Sequence, residues 1–209
     1  MEPIDGVPVI ALTLKNVRGL CPDSSVIIAA PENDIALYKS AAEKHCPGFS
    51  PVFVCGGATR AGSVLNAVKA MPAAAEIIAV HDAARPLAGP GLFERCFGGV
   101  ERLGCGVVAA RRVTDTIKTA DKDCFAESTP DRAFLWAAET PQVFPADILR
   151  RAWERAAEKG LEFTDDAAAV AAAGGKAFLL EHGGFNIKIT RPDDIHLAEF
   201  YYVRNSGNR

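Results

Sequence analysis

The run Val80-His81-Asp82-Ala83-Ala84-Arg85-Pro86 places an aspartate and, three residues on, an arginine directly after Ile77 to Val80, an apolar segment that reads as a strand. In an open α/β sheet the carboxyl ends of strands are where ligands bind. A carboxylate at that end offers a hard oxygen to a divalent cation, and the guanidinium can fork onto a phosphate. Those two capacities suit an enzyme that holds a metal-bound nucleotide against a phosphorylated partner, so the stretch points to a phosphate-handling transferase.

Four other clusters bear on that chemistry. Cys55-Gly56-Gly57-Ala58-Thr59-Arg60-Ala61-Gly62-Ser63 sets glycines between a strand and a helix, where backbone can approach a ligand and the first helical N–H groups can meet an anion. The same residues also make an ordinary tight turn, with Arg60 solvated and Ser63 as a cap. Val113 to Lys118 offers hydroxyls and a lysine opposite Asp131-Arg132 and Glu139-Thr140-Pro141-Gln142; read as a strand, it puts Thr116 and Lys118 on one face. Such a hairpin can bind a polyol phosphate, or its charges can simply discourage edge pairing. Phe185 to Pro192 reads as a short strand ending at a helix start, and Lys188 between two isoleucines needs a partner there or must snorkel. Thr164-Asp165-Asp166-Ala167 reads as a helix cap with acids in its first turn.

The elements that must carry these clusters alternate. Ser25 to Ala30, Pro51 to Val54, Ile77 to Val80 and Gly106 to Ala109 read as strands, separated by helical periodicity over Asp34 to His45, Thr59 to Ala70 and Gly91 to Val100. That rhythm predicts a mostly parallel sheet flanked by helices on both faces. Val113 to Thr119 and Ala133 to Thr140 then follow as two strands without a helix between them, an antiparallel arm over about residues 112–140. Helices over Ala146 to Gly160, Thr164 to Ala173 and Pro192 to about Arg204, with a strand at Ala177 to Leu180, complete a single α/β domain spanning 1–209.

Composition narrows the partners. A chain of 209 residues, 49% hydrophobic, can bury a full core, and its net charge of −3 arises from interspersed acids and bases. Neither nucleic acid nor a membrane surface is expected, so substrate phosphates must be met by local cations. No apolar stretch reaches spanning length and no signal pattern opens the chain, which predicts a cytoplasmic protein. The six cysteines are scattered without a C-x-x-C pair, which argues for reduced thiols rather than zinc or a disulfide framework.

In chain order, G-G-x-x-R-x-x-S-V at 56–64, H-D-A-A-R-P at 81–86, D-T-I-K at 115–118, T-P-Q-x-F at 140–144, T-D-D-A at 164–167 and N-I-K-I-T-x-P-x-D at 186–194 resemble one family, the 2-C-methyl-D-erythritol 4-phosphate cytidylyltransferases of the non-mevalonate isoprenoid pathway. The resemblance implies a Rossmann-like nucleotidyltransferase domain whose protruding β-arm makes a homodimer. It implies Mg²⁺-dependent transfer of CMP from CTP to a polyol phosphate with release of pyrophosphate. By the same resemblance Gly56, Gly57 and Ser63 line the cytidine pocket, and Asp82 with Ala83 forms the ribose and metal side, Asp82 being the metal ligand. Arg85, Thr116, Arg132, Thr140 and Lys188 hold methylerythritol phosphate, and Lys188, Arg132 and Asp82 carry catalysis. Joining two anions is mainly a matter of charge and position, so no covalent intermediate is required and His81 is read as a structural hydrogen-bonding residue.

One feature of the family pattern is not matched. The family opens with a strand and a glycine-rich loop, A-A-G-x-G-x-R-M and then P-K-Q, whereas Met1 to Ile10 resembles the segment just after that loop. Two readings stand: a chain truncated relative to the working protein, or a defective copy. Either way the neighbouring strands are expected to have open backbone groups. The alternatives on function are a ribitol 5-phosphate cytidylyltransferase, which would use the same arginines, threonines and lysine, and a non-catalytic nucleotide-binding homologue.

Overall fold

The computed structural model describes residues 3–206. A two-residue hairpin, β1 (Pro3–Ile4) and β2 (Val7–Pro8), turns through Asp5 and Gly6, both at positive φ, and leads into helix α1 (Val9–Val17). This helix was not predicted, and its inward face of Ile10, Ala11, Leu12 and Leu14 is buried. Next come β3 (Ile27–Ala30), α2 (Ile35–His45), β4 (Val52–Cys55), α3 (Arg60–Ala70), β5 (Ile77–Val80), α4 (Pro90–Leu103) and β6 (Gly106–Arg112). These match the expected alternation to within a few residues. Helix α4 shows why its limits are sharp: proline occupies the first turn, where no N–H is needed, and Gly104 ends it in the left-handed region at φ 64°.

The arm differs from its prediction. Instead of strands over 113–119 and 133–140, the segment between β6 and the next long strand holds a short ladder, β7 (Thr119–Ala120) with β8 (Ala126–Ser128), and a single 3-10 turn, Arg132–Phe134. Residues 113–118 are outside any strand, so Thr116 and Lys118 do not share a strand face. The return strand β9 (Trp136–Pro145) runs on past the arm into the sheet, where residues 139–144 are buried. Pairing with buried neighbours on both sides outweighs the local hairpin pattern from which its limits were read.

Helices α5 (Ala146–Glu158) and α6 (Asp166–Ala172), strand β10 (Ala177–Glu181) and helix α7 (Pro192–Ser206) complete the order. In α5 the residues Leu149, Ala152, Trp153 and Ala156 fall on one stripe and are buried, while Asp147 and Arg151 pair on the outer face at 2.9 Å. The short strand expected within Phe185 to Pro192 is absent; residues 185–190 form no ladder.

The main sheet has the order β10-β6-β9-β5. Strand β9 runs antiparallel to both β5 and β6, which leaves β5, β6 and β10 parallel to one another. Strands β3 and β4 form a separate parallel pair. Among the described residues β3 pairs only with β4, and β5 only with β9. Ile27, Ile28 and Ala29 are correspondingly half-buried, whereas Val107 to Ala110 of β6 are fully buried. Helix α3 ties the two sheets together: it lies on β3 and β4, and its Val64, Leu65 and Val68 join the core formed by Ile78, Phe144, Leu149 and Trp153. No helix among the described residues is long and apolar enough to cross a membrane.

Candidate active site

The carboxyl end of β5 delivers His81, Asp82 and Arg85 into a loop that three other elements hold in place. From α1, Thr13 Oγ1 donates to the Ala83 carbonyl at 2.8 Å and Asn16 Nδ2 to that of Pro86 at 2.7 Å. From β9, Thr140 Oγ1 accepts the Asp82 N–H at 3.0 Å and lies 2.9 Å from His81 Nδ1. Nε2 of the same ring lies 3.2 Å from the Arg85 carbonyl, which can only accept. The network therefore assigns the proton to Nε2 and makes Nδ1 the acceptor of the threonine hydroxyl. Burial drives the His81 pKa down to about 4, against the pull of the Arg85 carbonyl and Asp82, so the ring is neutral and structural, as expected. Phe93 meets it edge-on with centroids 5.0 Å apart.

Asp82 is the centre of a cationic cluster. Lys188 Nζ lies 3.0 Å from its Oδ2 and Arg85 Nε 3.4 Å from the same atom. Burial alone would raise the Asp82 carboxyl, but Lys188, Arg85 and Arg60 outweigh it and hold the group below the usual range. Lys188 arrives on the segment after β10, whose Ile187 and Ile189 pack with Ile4, Leu12 and Ala198 while the lysine side chain remains 41% exposed. That segment is fixed by hydrogen bonds instead of a ladder: Ile189 N–H to the Ala84 carbonyl at 2.9 Å, Arg85 Nη1 to the Asn186 carbonyl at 2.6 Å, and Asn186 Nδ2 to the Thr140 carbonyl at 2.8 Å. Asp194 then caps the approach to α7 by accepting from the N–H groups of Thr190 and Arg191.

The glycine-rich turn lies between β4 and α3. Gly56 N–H extends the β3–β4 pairing to the Ala30 carbonyl, and Gly57 N–H donates to Ser63 Oγ at 3.0 Å. A Cβ on Gly57 would come within 2.6 Å of the Gly62 backbone, so only glycine fits at this close approach. Thr59, not Ser63, is the cap of α3, accepting from Gly62 N–H, and Ser63 donates to the Thr59 carbonyl. Arg60 is not a solvated side chain. Its Nη2 donates to Asp166 Oδ2 at 2.6 Å, while Oδ1 of that fully buried carboxylate accepts from Trp153 Nε1 at 3.0 Å. Burial raises the Asp166 carboxyl despite Arg60. Nη1 of Arg60 is buried without a hydrogen-bond partner among the described residues.

Of the predicted residues, Asp82, Arg85 and Lys188 meet directly, and Thr140 sits beneath them, only 4% exposed, with its hydroxyl committed to His81 and Asp82. Arg132 and Thr116 stand apart on the arm. Arg132 Nη1 donates to the Thr114 carbonyl at 3.0 Å, and neither residue bonds or pairs with Asp82 or Lys188 within the chain. The T-D-D-A run is the helix cap it was read to be, with Asp165 Oδ1 accepting from Ala168 N–H. The sequence reading missed Arg60 as part of the charge cluster and Thr13 and Asn16 as its supports; the arginine in G-G-x-x-R was the available signal, whereas nothing local marks α1. A cavity of about 680 Å³ lies away from this cluster, between α5 and the Gly174-Gly175 turn.

The arrangement offers a carboxylate, a half-exposed lysine and two arginines at the end of a strand, which is equipment for anionic ligands. Comparison with known proteins agrees. The family model described as IspD, 2-C-methyl-D-erythritol 4-phosphate cytidylyltransferase, matches residues 2–204. The enzyme of that name from Trichormus variabilis is 38% identical over 193 residues, covering 92% of this chain and 84% of its own. That of Parasynechococcus marenigrum is 40% identical over 202 residues, covering 94% and 86%. Among solved structures, 4-diphosphocytidyl-2C-methyl-D-erythritol synthase from Anaerococcus prevotii superposes with a TM-score of 0.86 at 27% identity over 96% of this chain and 91% of its own. The Thermus thermophilus cytidylyltransferase does so with 0.78 at 31% identity over 93% and 89%.

Proposed function

The chain belongs to the 2-C-methyl-D-erythritol 4-phosphate cytidylyltransferase family, and we propose that it transfers CMP from CTP to 2-C-methyl-D-erythritol 4-phosphate in isoprenoid precursor synthesis. An oxygen of the polyol phosphate attacks the α-phosphorus of CTP; the new P–O bond forms as the bond to the β-phosphate oxygen breaks, and pyrophosphate leaves. The nucleophile is already anionic, so no general base is needed, and a neutral His81 agrees with that. The observation that carries the reading is the cluster in which Lys188 Nζ and Arg85 Nε converge on Asp82 Oδ2. Lys188 is the more exposed of these two cations, at 41% against 11% for Arg85, and we assign it to neutralising charge on the reacting phosphates. Gly56, Gly57, Ser63 and Ala83 belong to the nucleotide side, with Arg60 as an added cation.

Asp82 also fits a role toward Mg²⁺. Lys188 and Arg85 both pair with its Oδ2, which leaves Oδ1 as the oxygen to offer a metal. One carboxylate oxygen suits an ion whose other ligands are triphosphate oxygens and water. Among the described residues no group of three His, Cys, Asp or Glu forms a separate cage. When bound with CTP, the ion neutralises triphosphate charge.

The arm residues enter through a partner. Thr116 and Arg132 are exposed and lie in a segment where Phe125 and Phe134 are 71% and 82% exposed, an apolar display that suits burial against a second copy. In the proposed cytoplasmic homodimer, Thr116 and Arg132 of one subunit complete the polyol-phosphate site of the other, with Arg85 and Thr140 shaping its floor. The test is pyrophosphate release from CTP and Mg²⁺ with 2-C-methyl-D-erythritol 4-phosphate and with ribitol 5-phosphate. A higher kcat/KM for the first supports the reading. Preference for ribitol 5-phosphate, or no release with either, overturns it.

A further inference from the structure

Glu139, one residue before Thr140 on β9, is the hub of a buried charge network that none of the assigned roles uses. Its side chain is 3% exposed. Oε1 accepts from Arg111 Nε on β6, and Oε2 accepts from Nε2 of His182, which follows β10 and is equally buried, at 3.0 Å. The same Oε2 lies 3.8 Å from Arg85 Nη1. Burial alone would raise the Glu139 carboxyl, but His182 and Arg111 hold it below the usual range, so it stays charged. One carboxylate thus touches the root of the arm, the end of β10 and the loop after β5. Arg85 Nη1 in turn donates to the Asn186 carbonyl, two residues before Lys188.

We propose that Glu139 is a positioning residue, a buried anion that fixes the Arg85 guanidinium and, through Arg85 and Asn186, the segment that brings Lys188 to Asp82. The Arg85 side chain is only 11% exposed and meets Asp82 Oδ2 at 3.4 Å through Nε and Glu139 Oε2 at 3.8 Å through Nη1, so Glu139 adds a second anion at a different nitrogen of the guanidinium from Asp82. His182 competes with Arg85 for Oε2, so removing the Glu139 charge and removing His182 should have opposite effects on Arg85. The inference rests on the catalytic reading above for its kinetic part only.

Side-chain ¹⁵N–¹H spectra of the full chain test the positioning without catalysis. The wild type is expected to give a protected Arg85 Nε–H signal, identified by its loss in Arg85→Gln. Glu139→Gln, which keeps shape but removes the charge, is expected to abolish that protection. His182→Ala, which frees Oε2 to close on Arg85, is expected to preserve it. An unchanged Arg85 signal in Glu139→Gln, or its loss in His182→Ala, overturns the proposal; if Glu139→Gln does not fold, His182→Ala decides alone. In the pyrophosphate assay Glu139→Gln is expected to raise KM for the polyol phosphate about tenfold while KM for CTP changes less than about twofold, and to add less than about twofold once Arg85 is Gln. Equal effects in both backgrounds refute action through Arg85. A wild type that releases no pyrophosphate refutes the catalytic reading and leaves the spectroscopic test in force.

Discussion

Acidification should unlock the loop that carries Asp82 by charging His81. The folded pKa of about 4 lies below the ordinary 6.5, so between those values the unfolded chain binds a proton that the native chain does not. Stability from this group is complete above pH 6.5, falls as the pH drops, and levels near pH 4. At about 1.4 kcal/mol per unit, the full loss is about 3 kcal/mol, and about 2 kcal/mol is gone by pH 5. Protonation at Nδ1 also removes the acceptor of the Thr140 hydroxyl, which holds the Asp82 N–H. The assay is urea denaturation of wild type and His81→Gln from pH 7.5 to 5.0. Asp82 and Glu139, both held below their usual carboxyl values, remain ionised in this window, and every other titrating group is shared by the two proteins. The wild type should lose about 2 kcal/mol more than the variant across the range. Parallel profiles would refute the buried, neutral assignment.

Three further outcomes follow from the same contacts. Asp166→Ala strands the Trp153 indole N–H and leaves Arg60 with no anion in contact, and should cost about 2–4 kcal/mol by chemical denaturation. Gly57→Ala drives a methyl into the Gly62 backbone and should cost about 1–3 kcal/mol while raising KM for CTP in the pyrophosphate assay. Thr140→Val removes the hydroxyl that joins Asp82 to His81 and should lower the melting temperature, by an amount set by about 1–3 kcal/mol, even without substrate.

Local sequence signals located most of the frame. The strand at Ile77–Val80 and its acidic-basic exit were legible because a short apolar run followed by turn residues leaves few alternatives, and helix α3 because its glycine turn and cap are local devices. Contacts across the chain were not legible. Residues 185–190 look like a strand by alternation, yet the isoleucines are half-buried against the N-terminal hairpin and α1, and hydrogen bonds to the loop after β5 replace a ladder. Arg60 could be read as a ligand contact or as a solvated side chain, because its partner Asp166 is 106 residues away. Glu139 was visible only as the neighbour of the T-P-Q-x-F motif; its contacts with Arg111 and His182 come from β6, β9 and β10 being adjacent in the sheet.

Lys188→Ala tests the central claim most directly, because this lysine is 41% exposed and its loss should remove charge from the site without opening the core. Phosphorus NMR of the full chain with CTP, Mg²⁺ and 2-C-methyl-D-erythritol 4-phosphate should show pyrophosphate and a new diphosphate diester accumulating with the wild type. In the variant, turnover should fall roughly 100- to 1,000-fold with an unchanged melting temperature. Turnover at the wild-type rate would contradict the account, and so would loss of the folded state on removing the lysine.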